Sequence, residues 1–185
     1  MKAKLEGSIC YLAGPIDYAP DQGRAWRKET EERLKHLKIN FLDPNSKVKG
    51  LSKEVNNDQD KVKRCKKDYK WKELSKIMKK IVREDLRCID YSDFIIAYVN
   101  SSIHMCGTYH EIIIALNQKK PVFIVVEGGK KKSPSWLFGI CDYKYMFDNF
   151  EDLFKFVINL DNGDIKMDNK WVLIRKQLAQ KKVAE

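Results

Sequence analysis

At 185 residues the chain fits one domain, able to bury roughly 70% of the surface its unfolded form exposes, and leaves little room for a second. Its 43% hydrophobic and 34% charged residues, with four Trp, eight Tyr and eight Phe, exclude a disordered chain and argue for a packed core. The net charge of +10 favours anionic partners through its long-range field, but does not separate a nucleotide from a nucleic acid or an acidic protein.

Five cysteines (Cys10, Cys65, Cys88, Cys106 and Cys141) are scattered without a CxxC pair. That excludes a zinc-like spacing and fits reduced thiols, so a cytoplasmic location is expected. No run approaches the roughly 18 uninterrupted apolar residues of a membrane span. The first residues lack the apolar core of a signal peptide.

In chain order, SICYLA at Ser8 to Ala13 reads as a buried strand ending in the turn Gly14-Pro15. Trp26 to Leu37 reads as a helix with Trp26, Thr30, Leu34 and Leu37 inward. INFLDP is a second strand stopped by Pro44. Asn45 to Asp60 lacks apolar periodicity and reads as a loop. From Lys67 to Leu86, Trp71, Leu74, Ile77, Met78, Ile81 and Val82 recur at helical spacing between lysines. That stripe predicts an amphipathic helix packing its apolar face on the core.

DFIIAYV (Asp93 to Val99) and PVFIVV (Pro121 to Val126) are nearly continuous apolar runs, separated by a helix starting near Thr108. Such runs suit interior parallel strands covered on both sides. YKYMF (Tyr143 to Phe147) adds a fifth strand, and Leu153, Phe154, Phe156, Val157 and Leu160 mark a last helix. The alternation predicts an α/β domain: an open five-stranded parallel sheet with flanking helices, three-layered in the flavodoxin-like or Rossmann-like manner. Sites in such folds lie beyond the carboxyl ends of the strands, where YLAGPID, LDP and YVNSSIHMCGTYHE converge. Residues 161–185, with KWVLIRKQLAQ, form an extension that packs on the 1–160 domain or on a neighbouring subunit.

The most informative stretch is MCGTYHEIIIAL, Met105 to Leu116. Gly107 permits close backbone approach or unusual torsion, Thr108 can cap the helix, and Glu111 falls in its first turn. Thr108-x-x-Glu111 is also a capping box, in which Glu111 would only bond the Thr108 backbone NH. Alternatively, a carboxylate at this strand exit can attack the anomeric carbon of a bound sugar and form a covalent glycosyl intermediate. Nearby helix NH groups would hold it anionic.

Glycosyl transfer also needs a proton at the departing base, and Asp85 in REDL is the candidate donor. Tyr11 on the first strand either bonds the nucleophilic carboxylate or is a core aromatic. Gly14, Pro15 and Asp17 flank the first turn as candidate sugar contacts, and Arg24 precedes the helix as a phosphate contact. Arg24, Trp26 and Arg27 together could form an anion and stacking surface, with Trp26 also reading as core. Ser101, Ser102 and His104 offer donors at a strand exit, or simply shape the turn. His36, His104 and His110 make no HxxxH or HExxH pattern, so no metal is expected, and the missing GxGxxG argues against a dinucleotide cofactor.

With YLAGP at 11–15, EDL at 84–86 before DYSDFIIAYV, and GTYHEIIIAL at 107–116 before KKPVF, the chain resembles the nucleoside 2-deoxyribosyltransferase family, which is related to deoxynucleotide N-glycosidases. The resemblance implies Glu111 as nucleophile, Asp85 as the acid at the nucleobase, and Tyr11 as the residue orienting Glu111. It implies a nucleoside or nucleotide substrate with a free nucleobase as acceptor, no cofactor, and a homo-oligomer in which a neighbour closes each site. One departure stands out. Where the family carries Asp for the sugar 5′-hydroxyl, or Ser for a phosphate, six residues before the glutamate, this chain has Met105. Hydrolysis of a deoxynucleotide or of NAD is the nearest alternative. A non-catalytic module binding nucleotide or nucleic acid through Lys61, Lys63, Arg64, Lys66, Lys67, Tyr69 and Trp71 is a third reading.

Overall fold

The computed structural model describes residues 5–45 and 58–165. Most of the expected loop after Asn45 and the KWVLIRKQLAQ stretch lie outside them. The elements are β1 (Ile9–Ala13), α1 (Arg24–Leu34), β2 (Asn40–Leu42), α2 (Asp58–Lys67), α3 (Trp71–Tyr91), β3 (Phe94–Val99), α4 (Cys106–Asn117), β4 (Val122–Val126), α5 (Ser135–Ile140), β5 (Met146–Phe147) and α6 (Phe150–Asn162).

All five strands are parallel, in the order β2-β1-β3-β4-β5. The chain leaves β1 for the edge strand β2 and returns to β3 on the other side of β1. That reversal leaves a crevice at the carboxyl ends of β1 and β3, the switch point at which doubly wound sheets place their sites.

The expected long apolar strands are the centre of the core. Every residue of β4 is buried, as are five of the six in β3, because α1 packs with α6 and α3 with α4 around the sheet. At the strand entrances, Asp93 Oδ2 accepts from the Ile9 NH at 2.9 Å and Asp90 Oδ1 accepts from Gln118 Nε2 at 2.7 Å. Both carboxylates thus serve local structure far from the crevice, as their sequence positions suggest.

Three elements depart from expectation. The last three residues of the expected β5, Tyr145 to Phe147, are buried, but Tyr143 to Tyr145 form a 3-10 turn. Asp58 to Asp60, expected as the end of a loop, instead open α2, which packs along α3.

The third departure matters most. The apolar stripe of α3 is not fully buried along its first turns: Trp71 is 58% exposed, Met78 38% and Val82 40%, while Leu74, Ile77 and Ile81 are half-buried. Trp71, Met78 and Val82 face the outside instead, and Met78 and Val82 wall a groove of 610 Å³ with Leu86 and Arg83. Periodicity reports that a helix has an apolar side, not what covers it. Only the final turns, around Cys88 and Ile89, enter the core.

Candidate active site

Three helices and one strand bring charged or hydroxylated side chains into the apolar interior at the β1–β3 crevice. In α4 the buried residues are Thr108, Glu111, Ile112 and Ala115, spaced i, i+3, i+4 and i+7. Glu111 therefore occupies a core position on the helix and is only 8% exposed. Tyr11, in the middle of β1 between Leu42 of β2 and Ile95 of β3, is fully buried. Its hydroxyl donates to Glu111 Oε1 at 2.8 Å across 100 residues of sequence.

The capping box does not form. The helix starts at Cys106 with Met105 as its N-cap residue, no side chain caps it, and no acidic residue stands in its first turn. Thr108 is inside the helix and buried, and Glu111 is in the second turn, pointing at Tyr11. The expectation that helix NH groups hold Glu111 anionic fails with it. Burial instead pushes the Glu111 carboxyl up to about 8, helped by the nearby charge of Asp85 and opposed by the Tyr11 hydrogen bond and Arg27.

Asp85 lies on α3 one turn before Cys88 and Ile89, so the same inward face carries it toward Glu111. Burial, then the charge of Glu84, pushes its carboxyl up to about 7, against the pull of Arg27. The Tyr11 phenol is raised well above its usual value by burial first and by Glu111 and Asp85 next, and stays neutral. The charge of Asp85 raises Glu111, and two carboxyls so coupled titrate as a pair. Near neutrality such a pair holds a proton alongside a negative charge, the combination that acid-assisted nucleophilic displacement requires.

Arg27, the companion of Arg24 and Trp26 in the sequence reading, is not an exposed anion contact but the largest fully buried side chain. Its guanidinium donates to the carbonyls of Leu12 at 3.1 Å, Gly14 at 2.9 Å, Gly23 at 2.9 Å and Gln22 at 3.2 Å, and its Nε lies 3.4 Å from Asp43 Oδ1. Trp26 is core as well, 7% exposed and stacked with Phe150 at 5.7 Å between ring centroids. Gly14 and Pro15 are buried in the same turn. A Cβ on Gly14 would fall 2.6 Å from the Trp26 ring, so only glycine lets the β1 exit pass.

The remaining candidates are exposed. Asp17 is exposed and paired with Lys66 of α2 at 2.8 Å, and Lys66 also lies over the Tyr18 ring, which meets His104 edge-on at 5.5 Å. Arg24 is exposed and bonds Gln22 Oε1 at 2.8 Å. Ser101 and Ser102 are exposed, and the Ser102 NH donates to Asn100 Oδ1 at 2.9 Å, which favours the turn-shaping reading. Gly107 has an ordinary helical conformation with nothing within 4 Å of a would-be Cβ, so neither unusual torsion nor close protein packing explains it. Met105 is buried, and its sulfur accepts from the Asn100 NH at 3.0 Å. Its side chain is committed to closing the β3 exit.

Sequence reasoning weighed Arg27 only as a surface group. The signal was present: Arg27 follows Trp26 on the helix side carrying Trp26, Thr30 and Leu34, and an arginine there must find buried acceptors. Tyr98, whose hydroxyl donates to Glu127 Oε2 at 2.7 Å at the exit of β3, was missed as well.

Fold and site together define a doubly wound α/β enzyme with a buried tyrosine–carboxyl pair at its switch point. The model of the nucleoside 2-deoxyribosyltransferase family matches residues 10–160, and the chain belongs to that enzyme family. The 2-deoxyribosyltransferase of the psychrotolerant bacterium Bacillus psychrosaccharolyticus shares the fold, with a TM-score of 0.52 at 16% identity over 79% of this chain and 90% of that one. Among curated proteins nothing matches significantly. No described helix is long and apolar enough to cross a membrane.

Proposed function

We propose that this member of the family cleaves and re-forms the N-glycosidic bond of deoxynucleosides through a glutamyl-sugar intermediate. The observation that carries the reading is the 2.8 Å Tyr11–Glu111 hydrogen bond, buried at the switch point within electrostatic reach of Asp85.

In the first step an oxygen of the Glu111 carboxylate attacks C1′ of the sugar as the bond from C1′ to the base nitrogen breaks. The bond's electron pair goes to the base, and Asp85 delivers a proton so that the base leaves neutral. Tyr11, neutral throughout, donates to one Glu111 oxygen and fixes the orientation of the other. Its bond favours the anion on Glu111, against the burial that otherwise keeps the proton on that carboxyl, and the reaction requires this proton to pass to Asp85 before attack. In the second step an incoming base surrenders a proton to Asp85 while its nitrogen attacks C1′, releasing the Glu111 carboxylate. Water in place of that base gives hydrolysis by the same route.

Met105 favours a second reading of the substrate. With that side chain buried, neither the family's Asp nor its Ser function is present at this position. Lys66 and His104 are exposed and the chain carries a net +10, which suits a 5′-phosphate and hence nucleotide hydrolysis. In either case we assign Gly14, Pro15 and Gly107 to the approach to Glu111, and Asp17, Arg24, Ser101 and Ser102 to its edge.

A mass-resolved panel of deoxynucleosides and deoxynucleotides, each with and without a second free base, tests both readings. Transfer predicts an exchanged nucleoside that appears only when the acceptor is present. Free sugar or sugar phosphate with no exchange contradicts transfer and supports hydrolysis, and intact substrate throughout contradicts both. Strongly salt-dependent binding to single-stranded nucleic acid without turnover would favour the binding-module alternative.

A further inference from the structure

We propose that Arg27 is a positioning residue for this site: its buried guanidinium ties the β1 exit to the loop before α1 and to Asp43, and sets a fixed positive charge behind Tyr11, Glu111 and Asp85. The inference rests on the reading of Glu111 and Asp85 as the working pair.

Burying an arginine costs several kcal/mol of lost hydration unless its donors are satisfied, and an apolar side chain would fill the same volume without that penalty. Here three segments are built around the fork, one of them Asp43 after β2, 3.4 Å from the Arg27 Nε. The strand end supplies the Leu12 and Gly14 carbonyls, and the loop before α1 supplies those of Gln22 and Gly23. Both loop residues are left-handed, with φ of 60° at Gln22 and 69° at Gly23. A Cβ on Gly23 would stand 2.4 Å from Arg27 Nη1 and 2.6 Å from the Pro15 carbonyl. The loop therefore accepts an unfavourable backbone conformation, and requires glycine, in order to close on the guanidinium.

The electrostatics run the same way. The charged or titratable groups facing Arg27 are Tyr11 on β1, Asp21 before α1, Asp43 after β2 and Glu111 on α4, with Asp85 of α3 feeling its charge in turn. Glu84 adds a further negative charge beside Asp85. Arg27 lowers the carboxyls of Glu111 and Asp85 against the burial that raises them. Asp43, the strongest of the acids acting on Arg27, offsets part of that cation. Removing the cation and removing its counter-charge must therefore displace the pair in opposite directions, a signature that a purely space-filling arginine lacks.

The test follows the isotope-labelled carboxyl carbons of Glu111 and Asp85 by NMR across pH, without substrate, in wild type, Arg27→Gln, Arg27→Lys and Asp43→Asn. The Arg27→Gln titration is expected to move upward by about one pH unit, and the Asp43→Asn titration downward by a smaller step. Arg27→Lys keeps the charge and so the wild-type titration, but its point ammonium cannot hold four carbonyls, and turnover falls on the order of tenfold. Unmoved midpoints in the neutral variants, or movement in the same direction, would overturn the proposal. If Arg27→Gln does not fold, Arg27→Lys decides: wild-type midpoints with lowered turnover uphold the proposal, and shifted midpoints or undiminished turnover overturn it. Because the titration needs no substrate, its failure leaves the nucleophilic reading of Glu111 intact. A wild-type enzyme inactive on every nucleoside and nucleotide would remove that reading without touching the titration.

Discussion

Two regions of this molecule reverse the usual placement of side chains, and they do so in opposite senses. At the β1–β3 crevice, Arg27, Glu111 and Tyr11 are buried among apolar strands. Along the outer turns of α3, Trp71, Met78 and Val82 face outward. In the first region the inverted residues are bonded to one another and to backbone carbonyls, whereas in the second the described residues leave Trp71, Met78 and Val82 between 38% and 58% exposed. Buried polar groups that are satisfied signal built chemistry, and an exposed apolar stripe signals a surface awaiting cover. The two regions should therefore respond to substitution differently, with loss of activity in one and little change in stability in the other.

The largest effect separating them is expected at Glu111. Glu111→Gln preserves shape and can still accept from Tyr11, but an amide is no nucleophile, and turnover should fall by about 10³-fold or more with the fold intact by circular dichroism. Wild-type rates in this variant would remove the distinction between the two regions. Next, Phe123→Ala in the fully buried β4 should lower stability by about 3–5 kcal/mol in urea unfolding. That sets the scale of a true core position against which α3 can be read.

A pH experiment sharpens the crevice itself. Burial raises the folded-state Glu111 carboxyl to about 8 and that of Asp85 to about 7. Between an unfolded value near 4 and these folded values, the unfolded chain has released protons that the native state retains. Wild-type stability should therefore fall as pH rises from about 4 to about 8 and level off above, by up to a few kcal/mol. Glu111→Gln removes the larger part of that slope, so its advantage over wild type in thermal unfolding grows with pH and vanishes below pH 4. Parallel curves for the two proteins would mean that Glu111 is not held out of water.

The smallest effect is expected on α3. Val82→Ser at dilute protein concentration should change unfolding stability by roughly 0.5 kcal/mol or less, in line with surface sites. A loss approaching that of Phe123→Ala would show that this stripe is packed in solution.

Much of the fold was legible because parallel interior strands leave an unambiguous mark: FIIAYV and VFIVV are apolar on both faces, as only a covered strand tolerates. The order of motifs also located the switch point, and with it Tyr11, Asp85 and Glu111. Three things were not legible. A Thr-x-x-Glu spacing looks the same whether or not the helix starts at Thr108, and here it starts two residues earlier, at Cys106. Arg27 is one letter in a charged run until its four carbonyl acceptors, 4 to 15 residues away, are brought around it. The α3 stripe obeys helical periodicity, and periodicity states that a helix has an apolar side without stating whether the core covers it.

The central claim is that Glu111 becomes covalently linked to the sugar. Wild-type protein incubated with a deoxynucleoside in the absence of acceptor base, quenched in acid and analysed by intact mass and peptide mapping, tests it most directly. The account predicts one added deoxyribosyl group on the peptide containing Glu111, discharged when a free base is supplied and missing in Glu111→Gln. Base exchange proceeding at full rate with the adduct on another residue, or with discharge unaffected by added base, would contradict it.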